Sequence, residues 1–399
     1  MSDGEFGPLS VPRRMLLGPG PTNVHPRVLR AMSTPIIGYL DSAYFEILDE
    51  ISDMLQIIYQ TRQNTMVVAA SGSGGMEAGL NSLIERGDKV IMCAYGHFCD
   101  RMVEMAERLG ADVVAVRSTM GRAMDPALLA DAITANPDAK LVTAIHAETS
   151  AGVLQPLEVI SDLTHEAGAL LMVDMVTSLA GAEVRFDDWG IDYAYSGPQK
   201  CLAGPPGLSP VAVSDIALEY VRNRSTKPSS WYLDIDLIAQ YWGPDHVHHH
   251  TSPISMMFGL REALGMVLEE GIDNRIQRHA HTAAGLRAGL NALGLTLPVP
   301  ESERLDQLTV IEVPAGIDDN AVRQQILDEY AIEIGRGLGE FKGNKWRIGL
   351  MGESCQPQNV LAVLAAFERV LPQHGFEVAA GAGVSAASVE LGKHEILVP

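Results

Sequence analysis

Two residues twenty-six positions apart, Asp174 and Lys200, set the chemistry to be explained. Lys200 follows a short strand-like run, Asp192-Tyr193-Ala194-Tyr195, and precedes Cys201-Leu202-Ala203-Gly204-Pro205-Pro206-Gly207, a loop too rich in Gly and Pro to continue any helix. Asp174 ends an apolar run, Ala169-Leu170-Leu171-Met172-Val173. A lone lysine in a loop is ordinarily a solvated charge. A lysine able to form a Schiff base, matched by a carboxylate able to keep a pyridine nitrogen protonated, is what pyridoxal phosphate (PLP) needs to act as an electron sink. A phosphate-type loop supports that pairing. Between a strand-like run, Thr65 to Ala70, and a helical pattern from Met76 to Arg86 stands Ser71-Gly72-Ser73-Gly74-Gly75. Small residues at such a junction leave backbone N–H groups free at the positive end of a helix, which makes an anion site. The spacing does not fit a dinucleotide fingerprint, because the final glycine is missing and no acidic residue ends a strand about 20 positions on.

The elements that must position these groups follow from pattern. Lys89 to Ala94 reads as strand, Asp100 to Leu109 as helix, Asp112 to Val116 as strand, and Pro126 to Ala135 as helix with its proline in the first turn. Lys140 to His146 reads as strand, Leu157 to Gly168 as helix and Ala169 to Asp174 as strand. Unbroken apolar strands alternating with helices imply an α/β fold with a mainly parallel sheet covered on both faces. Ligands of such sheets sit at the carboxyl ends of strands. Ser71, Phe98, Thr149, Asp174 and Lys200 all fall at or just after those ends, so a single site collects them.

Gly18-Pro19-Gly20-Pro21-Thr22-Asn23 is too turn-rich for a regular element and is expected to drape across a domain or subunit surface. Met256 to Glu269 and Arg275 to Leu293 read as helices, and Gly294 to Glu301 breaks the pattern. Beyond that break the grammar becomes α+β, with strands at Leu308 to Val313 and Trp346 to Met351 and helices at Asp319 to Tyr330 and Val360 to Leu371. The expected division is an N-terminal arm (1–24), a large domain (25–275), a small C-terminal domain (276–375) and a tail (376–399) without a clear signal of order. Arg347 stands in an apolar strand, where a free charge is costly; it reads either as a bidentate grip on a substrate carboxylate or as half of a structural ion pair. His246, His248, His249 and His250 cluster, but neighbouring histidines of one segment cannot all face one metal and no cysteine flanks them. A contact to phosphate is the expected role of this segment, and no metal site is expected.

At 399 residues two domains are the natural prior, and 47% hydrophobic with 20% charged residues is ordinary for a globular protein. A net charge of −21 argues against nucleic acid and anionic membrane as partners. Cys93, Cys99, Cys201 and Cys355 show neither metal nor disulfide spacing, which fits a reducing compartment. With no signal-like or membrane-spanning run, a cytoplasmic location is expected.

Gly18-Pro19-Gly20-Pro21-Thr22-Asn23, Ser71-Gly72-Ser73, Glu148-Thr149-Ser150-Ala151-Gly152-Val153, Val173-Asp174-Met175-Val176, Ser196-Gly197-Pro198-Gln199-Lys200 and Arg347-Ile348-Gly349 occur in one order. In that order they resemble the class V PLP-dependent aminotransferases, and most closely the alanine–glyoxylate and serine–pyruvate branch, from about residue 14 to about 371. The resemblance implies a PLP-transferase type I fold with a small α+β C-terminal domain. It implies Lys200 as the Schiff-base lysine, Asp174 at the pyridine nitrogen, Val176 and Phe98 on the two ring faces, and Thr149 near the ring hydroxyl. Ser71, Gly72, Ser73 and Gln199 are implied as the phosphate cradle, and Arg347 as the carboxylate site. Thr251 and His248 are implied to reach the phosphate of a neighbouring subunit, hence a homodimer with shared sites. His248 and Phe98 replace more familiar aromatics, which is expected to loosen contact without abolishing it. Arg336 stands where that branch can have glycine. There, and in Gly197-Pro198 and Lys200-Cys201, the chain looks similar to the pyridoxamine–pyruvate aminotransferases, so Arg336 is read as a candidate for a second acidic group of the substrate.

The reaction implied is a two-step transamination between a small amino acid, alanine or serine, and glyoxylate or pyruvate. Rival readings are a class V lyase such as a cysteine desulfurase with Cys355 as nucleophile, a non-catalytic PLP-binding protein, and a nicotinamide dehydrogenase, which the loop spacing weakens. Ureidoglycine stands among the less common donors.

Overall fold

The computed structural model describes residues 8–393; the first seven residues of the arm and the last six of the tail lie outside the described residues. A seven-stranded sheet runs in the order Asn64–Val68, Ser209–Val213, Tyr193–Tyr195, Leu170–Asp174, Leu141–Ile145, Lys89–Ala94, Asp112–Arg117. Its pairings are parallel from Tyr193–Tyr195 out to Asp112–Arg117, and Ser209–Val213 is antiparallel to both its neighbours. Leu141–Ile145 and Ser209–Val213 are buried along their whole length, as apolar strands covered on two faces should be. The Asp125 side chain accepts from the Ala127 N–H ahead of helix Pro126–Ala135, and a proline fills the first turn, so that helix starts where its sequence says it should.

A second, four-stranded sheet joins Met15–Leu17, Ile332–Arg336, Lys345–Gly349 and Leu308–Glu312 in that order. It carries its own apolar core, with Leu17, Trp346, Ile348, Val363 and Phe367 fully buried. A smaller cluster including Ala151, Cys201, Val310 and Met351 lies between the two.

Three segments differ from the sequence reading. Met15–Leu17 is a strand parallel to Ile332–Arg336, so the arm is stitched into the small sheet just before its turn-rich part. Ser209–Val213 is an inner strand despite Pro210, a residue that normally argues for an edge. The Pro210 carbonyl is fully used, accepting from Ser196 N at 2.8 Å and Tyr59 Oη at 2.9 Å. The segment read as a tail holds a helix, Ala382–Leu391, packed on helix Ile272–Ala292. Glycine makes that packing possible: a Cβ on Gly289 would sit 2.9 Å from the Gly383 carbonyl oxygen.

Candidate active site

Strand ends and two helix starts converge on a cavity of about 140 Å³. Ser71, Gly72, Ser73, Phe98, Thr149, Asp174, Val176, Gln199 and Lys200, all expected from the sequence, line it.

Lys200 is only 9% exposed. Burial, and secondarily the positive charge of Arg347, lower its amine to about 8. Nζ donates to the Pro19 carbonyl, so the turn-rich segment lies over the lysine rather than on a remote surface. Gly20 has φ +102°, and a Cβ there would come within 2.7 Å of Nζ; only glycine fits. The segment is pinned by Thr22, whose N–H donates to the Gln199 carbonyl at 2.9 Å and whose Oγ1 donates to the Met351 carbonyl at 2.7 Å.

Asp174 ends its strand with both oxygens engaged: Oδ1 accepts from Val176 N at 2.7 Å and Oδ2 from Tyr195 Oη at 2.6 Å. Burial raises the carboxyl to about 6, against the opposing pull of the Tyr195 bond. Asp174 and Tyr195 are register partners on adjacent parallel strands.

The anion loop forms as the sequence implies. Helix Gly72–Leu83 starts from Ser71 without a side-chain cap. Gly74 and Gly75 donate back to the Ser71 carbonyl at 2.7 and 3.1 Å. Among the described residues, the Gly72 and Ser73 amides of the open first turn have no partner. The buried Gln199 Oε1 is also without one. Unspent donors at the positive end of a helix, a buried amine with a depressed proton affinity and a carboxylate at a strand end are the functional groups PLP requires, and the site fits it.

Phe98 lies in the first turn of helix His97–Leu109. Glu148, fully buried, holds that turn: Oε2 accepts from Phe98 N at 3.2 Å and Oε1 from Ser150 N at 2.8 Å. Ser150 Oγ accepts from His97 N at 2.8 Å. Arg347 is 3% exposed and does not line the cavity itself. Its Nε donates to the Arg336 carbonyl at 2.7 Å and Nη1 to the Thr149 carbonyl at 3.0 Å. No carboxylate pairs with it among the described residues, so the structural ion pair is not found. Burial lowers it to about 10.

Besides Arg347, three expected residues do not line the cavity. His248 and Thr251 are exposed, and Arg336 points outward from the end of its strand. The histidines serve separate rings: His246 stacks on Phe45 at 4.1 Å, His249 on Trp231 at 4.3 Å, and His248 tilts against Tyr39 at 5.1 Å. Cys355 is fully buried in a tight turn with its thiol pushed up by burial, which is the opposite of a mobile nucleophile.

Sequence reasoning missed Tyr195, Glu148 and Arg101. Tyr195 and Glu148 sit inside recognised motifs, but their roles depend on strand register and on a loop closing across the sheet. Arg101 lies one helical turn beyond Phe98, which was the available signal.

This fold and this site define a PLP-dependent transaminase of the type I fold. The chain belongs to the class V aminotransferases, whose family profile (Aminotransferase class-V) matches residues 16–340. It is 37% identical to the (S)-ureidoglycine–glyoxylate transaminase of Bacillus subtilis (strain 168), covering 95% of each chain. It is 38% identical to the alanine–glyoxylate aminotransferase of Drosophila melanogaster, over 91% of this chain and 94% of the relative. Among solved structures, the ureidoglycine–glyoxylate aminotransferase of Bacillus subtilis superposes with a TM-score of 0.95 at 38% identity, covering 97% of this chain and 100% of the other. The pyridoxamine–pyruvate aminotransferase of Mesorhizobium loti gives 0.91 at 30%, covering 95% and 97%.

Proposed function

We propose that this transaminase moves an amino group from a small amino acid, alanine or serine, to glyoxylate or pyruvate by a ping-pong mechanism. The observation that carries the reading is Arg347: a buried guanidinium without a carboxylate partner, close enough to Lys200 to depress its amine, is suited to a substrate carboxylate held beside the reacting carbon. When bound, PLP supplies an electron sink for the carbanion at the substrate α-carbon and carries the amino group between the two half-reactions. Lys200 would hold the cofactor through its amine and would move the proton at the substrate α-carbon as general base and then acid, a task suited to an amine near 8. Asp174, fixed by Tyr195 and Val176, would hold the proton on the pyridine nitrogen. Phe98 and Val176 would enclose the ring, Thr149 would lie near its hydroxyl, and Ser71, Gly72, Ser73 and Gln199, which line the same cavity, would receive the phosphate. The segment over Lys200 keeps water from the amine.

Ureidoglycine as donor is a second reading, favoured by the coverage and TM-score of the ureidoglycine–glyoxylate relatives. A pyridoxamine–pyruvate type reaction is a third, weakened by the intact phosphate loop. The exposed Arg336, whose carbonyl accepts from Arg347 Nε, is assigned to a second acidic group of the substrate; an Arg336→Gly variant with unchanged donor preference overturns that. A homodimer places Thr251 and His248 at the partner's phosphate. Four free, buried thiols suit a reducing, cytoplasmic setting.

The test is the visible spectrum of the PLP-loaded protein with single donors and no oxo acid. One donor should bleach the cofactor band, and glyoxylate or pyruvate should restore it. Intersecting rather than parallel double-reciprocal lines exclude the ping-pong order.

A further inference from the structure

A phosphate monoester carries about −1.5 to −2 charges at neutral pH. The cradle assigned to it is made only of neutral donors: two serine hydroxyls, backbone amides at a helix start and the Gln199 amide. A helix N-terminus supplies about half a positive charge. The site therefore lacks a cation dedicated to the phosphate, since Lys200 is assigned to the cofactor's aldehyde carbon and Arg347 to the substrate carboxylate.

Arg101 lines the same cavity. It projects from helix His97–Leu109, and its Nη1 donates to Ser73 Oγ at 3.3 Å. Its guanidinium carbon stands 4.9 Å from the centre of the Phe98 ring. The acids near it are spoken for: Asp100 pairs with Arg117 at 2.7 Å, and Glu104 with Arg108 at 2.5 Å. Arg101 itself makes no ion pair with a described carboxylate. Because Ser73 Oγ accepts from Arg101, the hydroxyl proton of Ser73 is left to point at an anion.

We infer that Arg101 is a phosphate-recognition residue of the cofactor site, acting on the anion directly and through Ser73. This rests on the PLP reading of the cavity. It makes Arg101 the residue that discriminates PLP from unphosphorylated pyridoxal, while its stacking on Phe98 is a secondary, packing role.

The test is the dissociation constants of PLP and of pyridoxal for cofactor-free wild type, Arg101→Met and Arg101→Lys, followed by the visible band. Arg101→Met should weaken PLP at least tenfold and leave pyridoxal within about twofold of wild type, collapsing the preference for the phosphorylated form. Arg101→Lys should restore part of it. An equal loss for both ligands means that Arg101 works only through Phe98 and overturns the inference, as does unchanged PLP affinity. A wild type that takes up neither ligand overturns the PLP reading itself, an outcome distinct from wild type binding PLP with Arg101→Met unaffected.

Discussion

At the scale of single residues, the site is built from two groups both pushed toward their neutral forms. Lys200 falls from 10.5 to about 8 and Asp174 rises from 3.8 to about 6, chiefly by burial. The rate at which the cofactor-free protein captures PLP should therefore climb along a titration centred near 8 rather than 10.5, because only the neutral amine attacks. Growth of the visible band at fixed PLP, across about pH 6.5 to 10, reads it directly; a midpoint at 10 or above sinks the idea. Asp174 carries a linkage prediction. A carboxyl raised in the folded state favours folding below its unfolded value near 3.8, and that benefit is lost as pH rises through 6. Asp174→Asn should then stabilise the cofactor-free protein at pH 8 by on the order of 1–3 kcal/mol, seen as a raised melting temperature, with little gain near pH 4. The same change should slow the donor half-reaction by about 100-fold or more, since the amide cannot hold the pyridine proton. Lys200 was legible from the Gly- and Pro-rich loop around it, and Asp174 from its place at the end of an apolar run. Tyr195 was not: the strand sequence shows an apolar aromatic, and only the pairing of Asp174 with Tyr195 reveals that its hydroxyl serves the carboxylate.

At the scale of elements, the loop that carries Lys200 is tied to the small sheet by a buried charge triad. Glu270 accepts from Arg275 Nη1 and Arg278 Nε, both at 2.6 Å. Arg275 in turn donates to the Cys201 carbonyl at 2.7 Å, and Arg278 to the carbonyls of Gly352 and Cys355 at 3.0 and 2.6 Å. Burial pushes Glu270 upward, but the two guanidiniums overcome it and hold the carboxylate below its ordinary value. Glu270→Gln leaves two buried cations with carbonyl partners only, and should cost roughly 3–5 kcal/mol, seen as a lowered urea midpoint. It should also weaken PLP binding by freeing the Lys200 loop; a shift below about 1 kcal/mol means that the carbonyls alone hold both arginines. Nothing in the sequence marked this triad, because Glu270 ends one helix while Arg275 and Arg278 belong to the next. The strand and helix alternation of the large sheet was legible from periodicity. The helix Ala382–Leu391 was hidden by its Ala, Gly and Ser composition, and it exists through the close approach that Gly289 and Gly383 allow.

At the scale of the molecule, the surface around the histidine cluster is unusually apolar for a chain of net charge −21. Ile36 is 67% exposed, Trp231 60% and Val247 50%. Nearby, Tyr39 packs on His248 and Trp231 on His249. The patch also borders the site, because Tyr232 Oη donates to the Ala69 carbonyl at 3.3 Å, two residues before the anion loop. An exposed apolar face that runs up to a phosphate cradle, with Thr251 and His248 exposed beside it, is the face that the proposed homodimer would cover. Like charge opposes the association, but at physiological salt it is screened beyond roughly 8 Å while apolar contact is not. Light scattering should accordingly give the mass of a dimer, firmer at moderate than at low ionic strength. Trp231→Glu combined with Val247→Glu should halve that mass and loosen PLP at least tenfold, although neither residue lines the cavity. A double variant that is monomeric yet retains PLP as tightly as wild type means that each chain holds its cofactor alone, and that Thr251 and His248 have no part in the phosphate site.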